Sequence, residues 1–91
     1  MDDRSKKVRD AVMDTFRGWG GYWNVTPRAP AADAEPGESW KLRVHSHPFT
    51  HAELDVDLVD AYLDDPDDEE LAGRWQAALR PIFDQARGQA G

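Results

Sequence analysis

The sequence has no cysteine among its 91 residues, which excludes disulfides and thiolate metal sites and suits a reducing compartment, the cytoplasm being the one expected. No apolar run approaches the length of a membrane span, and the first twenty residues are too charged for a secretory signal core, so no membrane partner is expected. Basic side chains are outnumbered, 11 against 18 acidic ones, and the net charge of −7 argues against direct binding to nucleic acid or anionic lipid, which both need excess positive charge. The chain itself is short. One domain of this size buries only about 60–65% of its unfolded surface, so partner binding or self-association would help to hold it together.

The shortage of cations is local. Residues 1–49 carry eight basic and seven acidic side chains, whereas residues 50–91 carry three basic and eleven acidic ones. The stretch Glu53–Glu70 holds ten carboxylates and no Lys, Arg or His in eighteen residues. Such a run reads either as a solvated, solubilising face or as a surface addressed to something basic. Two features favour the second reading. Asp64 and Asp65 fall where a helix is expected to end, and carboxylates there oppose the helix dipole at a cost of about 0.3–1 kcal/mol each. The run also lacks the interleaved lysines that would relieve its self-repulsion.

The pattern of apolar residues predicts an α+β domain in the order helix, strand, strand, helix, helix, with a short antiparallel sheet packed against the helices. Over Met1–Trp19, Val8, Val12, Phe16 and Trp19 form one helical stripe, ended by Gly20-Gly21. Gly21–Arg28 reads as a strand in which Pro27 demands an edge or a terminus. A loop is expected over 29–38, which has two prolines and no apolar period. Ser39–His47 alternates, with Trp40, Leu42 and Val44 on one face and Lys41, Arg43, His45 and His47 on the other.

Residues 52–59 are ambiguous between helix and strand. A Thr50-His51-Ala52-Glu53 capping box and the stop at Pro66 favour a helix, on whose wheel Glu53, Asp57, Asp60 and Asp64 share a narrow arc while Asp55 falls outside it. A last helix is expected from an Asp67 cap, with a kink or break at Pro81 and a frayed tail over 88–91. Two strands alone are marginal, so a third strand misread as helix, or edge pairing in a homodimer, would complete the sheet.

The expected function is that of a small interaction module, not an enzyme, which binds a basic protein partner through Glu53, Asp57, Asp60, Asp64, Asp65, Asp67, Asp68, Glu69 and Glu70. Carboxylates at this density imitate the spacing of nucleic-acid phosphates, about one charge per 1.7 Å of duplex axis. In charge and size the chain resembles the small acidic inhibitors that phages direct at host nucleic-acid-binding machinery, including anti-CRISPR proteins with helices on a small sheet. That resemblance implies inhibition by mimicry and transfers no site residues.

An alternative class is a metal module on His45, His47 and His51, with Glu53 or Asp55 as an oxygen donor, although Lys41 and Arg43 on the same face disfavour a dication. No other cofactor is expected. Asp55-x-Asp57 opens like a calcium loop but has Val59 at a ligand position and Asp60 where the turn glycine belongs. Ser5, Ser39 and Ser46 lack a nucleophile-elbow context. A sheet platform for single-stranded nucleic acid built on Arg28, Lys41, Arg43, Tyr22, Trp23 and Trp40 is disfavoured, because Trp40 points away from the cations.

Overall fold

In the computed structural model, which describes residues 3–30, 39–46 and 48–90, with side chains through residue 88, the first helix, α1, spans Asp3–Gly18. Ser5, Val8, Val12 and Phe16 recur at helical spacing and form its buried stripe. Its end is set by backbone geometry. The amide of Gly21 donates to the carbonyl of Phe16 at 2.8 Å and that of Gly20 to Arg17 at 3.0 Å, with Gly20 at φ +89°, the left-handed conformation that closes a Schellman motif.

Gly21 is required for a different reason. A Cβ there would stand 2.6 Å from the Trp23 ring and 2.8 Å from that of Phe83, which is itself buried. Gly21→Ala is therefore expected to destabilise the fold by about 1–3 kcal/mol, as overpacking does, read as a lower urea midpoint at unchanged m-value.

Three strands follow: β1 (Val25–Arg28), β2 (Ser39–Val44) and β3 (Thr50–Asp55), in one antiparallel sheet of order β1-β2-β3. Pro27 lies on β1, at the sheet edge where its missing donor is tolerated. Val25 pairs with Val44 and Arg28 with Lys41, while Lys41 pairs with Glu53 and Arg43 with His51. One face, carrying Val25, Trp40, Leu42, Val44 and Leu54, is buried in the core that also takes residues from α1 and the last helix. The other face, carrying Thr26, Arg28, Lys41, Arg43, His51, Glu53 and Asp55, is exposed.

The third strand corrects the helix expected from Ala52. Thr50 and Leu54 are buried and Ala52 half-buried, while His51, Glu53 and Asp55 are exposed, so the period is two. Leu54 gains burial beside Trp40, its register partner, and the ladder satisfies backbone groups of a sheet that two strands would leave marginal. No capping box forms. Instead the helix α2 begins only at Val56 and ends at Asp64, with the Asp55 carboxylate accepting from the Leu58 amide at 3.1 Å. His51 is accordingly a strand residue and not part of a first helical turn.

The last helix, α3, spans Glu69–Ala90. Its cap is Asp68, which accepts from the Leu71 amide at 3.0 Å, and not Asp67. The break expected at Pro81 does not occur. Pro81 and Ala77 both lie on the exposed side, where water can satisfy the carbonyl that the proline leaves unpaired. On its inner side α3 buries Trp75, Leu79, Ile82, Phe83 and Ala86. The loop expected over 29–38 falls, for residues 31–38, outside the described residues, as does His47. No described helix is long and apolar enough to cross a membrane.

Candidate protein-interaction surface

The nine carboxylates expected to form one ridge are distributed over β3, α2, α3 and the connection between the two helices. Glu53 leaves the group altogether. It lies on β3, on the exposed sheet face, with Lys41 Nζ 3.8 Å from its carboxylate. Asp60 and Asp64 share one turn of α2 as expected, but Arg4 of α1 reaches both, at 2.6 Å and 3.7 Å. The hydrogen bond that Arg4 donates to Asp60, helped by the charges of Asp60 and Asp64, holds the Arg4 guanidinium above its ordinary pKa against a smaller opposing effect of desolvation. Arg4 is 36% exposed and its two partners 49% and 76%, so solvent screens each pair and it stabilises the protein by at most about 1 kcal/mol. Their structural use is to tie α1 to α2.

Glu70 pairs with Arg74 one turn on, at 3.4 Å, and Asp68 is committed to capping α3. Asp55, outside the expected arc, is likewise committed as the cap of α2. Asp57, Asp65, Asp67 and Glu69 remain. All four are exposed, and among the described residues none makes an ion pair.

Two of the four have an electrostatic role in the fold, since Asp57 and Glu69 stand in the first turns of α2 and α3, where negative charge complements the helix dipole. Asp65 has none, and Asp67 lies outside α3, one residue before its Asp68 cap. Asp65 terminates α2, its amide donating to the Ala61 carbonyl at 3.1 Å, so its carboxylate adds negative charge beside carbonyls that already carry it. The connection Asp65-Pro66-Asp67-Asp68 between the two helices thus gathers three carboxylates of which, among the described residues, none makes an ion pair.

Of the three histidines offered as metal ligands, His47 lies outside the described residues, among which no group of three or more candidate ligands is gathered. His45 Nε2 lies 2.8 Å from the Thr26 hydroxyl, and its ring is 5.0 Å from that of Phe49. His51 faces Arg43 across the strand pair.

Sequence reasoning missed Arg4 as the cation that neutralises part of the ridge. Nothing in the sequence pairs residues 4 and 60, because only the packing of α1 beside α2 brings them together. It also gave Phe49 no role, and Phe49 lies exposed at the end of the sheet beside Arg43 and His45. No protein-family model, no curated protein and no solved structure matches this chain.

Proposed function

We propose that this is a small non-enzymatic interaction module of the cytoplasm, which binds a basic surface on another protein through the α2–α3 connection and so competes with that protein's nucleic acid. The observation that carries the reading is the pair Asp65 and Asp67, exposed, without an ion pair among the described residues and, for Asp65, placed where a carboxylate weakens the fold. Charges that stability does not explain are what selection for binding leaves behind. Asp57, Glu69 and Glu70 extend the surface. Asp60, Asp64 and Asp68 contribute field but are tied internally, and Glu53 belongs to a different face. The lack of cysteine supports the compartment.

A labelled arginine-rich peptide of about ten residues serves as the probe. The double variant Asp65→Lys/Asp67→Lys is expected to bind it at least tenfold more weakly in low salt. The same variant should keep the parent's stability to within about 1 kcal/mol, because a cation is favourable at the end of α2 and unfavourable just before α3. The control is Asp84→Lys, fifteen residues after Glu69 on α3 and so about 22 Å along the helix from the connection, expected to change affinity less than threefold. Equal losses for the two variants would show that only net charge is being sensed, and would remove the α2–α3 connection as a binding surface.

A further inference from the structure

We propose that the uncovered face of the sheet binds single-stranded nucleic acid, with bases stacked on Tyr22 and Phe49 and phosphates held by Arg28, Lys41 and Arg43. This is a second surface, independent of the α2–α3 carboxylates, and it revises the expectation drawn from net charge alone.

The observations are of three kinds. The first concerns aromatics. Tyr22 is 80% exposed and Phe49 52% exposed, and these two are the exposed large hydrophobic side chains among the described residues. Exposing a ring in a domain so short of core is unexpected unless the ring is used. Their positions coincide. Phe49 ends the β2–β3 connection, and Tyr22 precedes β1 at the same end of the sheet, where the His45 amide donates to the Asn24 carbonyl at 2.8 Å. Trp23 and Val25 turn towards the core, whereas Tyr22, Asn24, Thr26 and Arg28 are exposed, so Tyr22 keeps the alternation of the open face.

The second concerns charge. Arg28 is the register partner of Lys41, about 5 Å away across the strands, and Arg43 follows two residues, about 7 Å, along β2 towards the aromatic end. Among the described residues neither arginine makes an ion pair, and only Lys41 shares its charge, with Glu53. The two carboxylates of this face, Glu53 and Asp55, both lie on β3, which leaves β1 and β2 cationic. The carboxylates of α2 and α3 stand on the helical layer, and beyond the Debye length of about 8 Å at physiological salt their field is largely screened.

The third concerns how the two sets meet. The Arg43 guanidinium sits over the Phe49 ring at 5.8 Å, and the His45 ring packs against the same phenyl at 5.0 Å. Planar cations and rings gathered on an exposed sheet face present the stacking faces and phosphate contacts that single strands use, with little sequence preference. Trp40 is buried and turned away from the cations, whereas Phe49 and Tyr22 are exposed.

The test uses the full chain and a fluorescein-labelled 12-nucleotide oligothymidylate, followed by anisotropy in 50 mM salt. Saturable binding in the micromolar range is expected, weakening about sevenfold to eighteenfold by 200 mM as two to three phosphates exchange their counterions. Tyr22→Ala and Phe49→Ala should each weaken binding at least fivefold, and Arg28→Glu/Arg43→Glu at least tenfold. Unchanged melting temperatures would certify that these exposed variants fold. Asp65→Lys/Asp67→Lys should retain or tighten oligonucleotide binding, which separates this surface from the other. No anisotropy change at 100 μM protein, or binding indifferent to all four substitutions on the face, would overturn the proposal. So would salt-sensitive self-association in sedimentation that Arg28→Glu/Arg43→Glu abolishes without any oligonucleotide binding, since the face would then take a second copy of the chain.

Discussion

Replacing Trp75 by alanine is expected to remove about 3–5 kcal/mol of folding stability, a large share of the roughly 5–14 kcal/mol that a domain of this length possesses at about 0.05–0.15 kcal/mol per residue. Trp75 is 1% exposed and is the largest fully buried side chain. Its ring stacks on Tyr62 with centroids 4.5 Å apart and planes 6° from parallel, so it is the contact through which α2 is held on α3. Its indole N–H donates to the Thr15 hydroxyl at 2.9 Å, and that hydroxyl donates in turn to the Ala11 carbonyl at 2.9 Å, which ties α3 to α1. One residue therefore joins all three helices. Urea unfolding followed by tryptophan fluorescence reads the loss directly. Thr15→Val separates the two contributions, because it keeps the ring's packing and deprives the indole of its acceptor, at an expected cost of about 1–3 kcal/mol. A Trp75→Ala variant that melted with the parent would contradict the packing described for all three helices.

Leu54→Ala is expected to cost about 2–5 kcal/mol and Leu58→Ala no more than about 1–2 kcal/mol. On one continuous helix these residues, four apart, would share a face and be equally buried, so the contrast distinguishes strand from helix. Leu54 is 2% exposed on the core face of β3, paired with Trp40, whereas Leu58 sits half-buried in the first turns of α2. Chemical denaturation of the two variants measures the difference. Equal losses would restore a helix beginning at Ala52 and leave the sheet with two strands.

Several features of the fold were legible in residue order because they rest on local physics. The α1 stripe of Val8, Val12 and Phe16, the Gly20-Gly21 terminus, the alternation of Trp40, Leu42 and Val44 against Lys41 and Arg43, and the edge placement of Pro27 all follow from side-chain periodicity and allowed backbone angles. Pro81 misled because the rule for proline in a helix weighs the lost hydrogen bond without knowing whether the freed carbonyl meets water. The Thr50–Glu53 pattern misled because a capping box and a strand starting with threonine look alike until a neighbouring strand offers a ladder.

The acidic surface divides along the same line. Which residues bear charge, and that residues 50–91 are acidic overall, was determined by composition alone. Which of those charges is free was decided by the tertiary structure, since neutralisation depends on a few ångströms between groups distant in the chain, as Arg4 with Asp60 and Lys41 with Glu53 demonstrate. The same holds for the open sheet face. Alternation along each strand assigns side chains to two sides, but only packing determines which side the helices cover, because burying one face removes more apolar surface from water than burying the other.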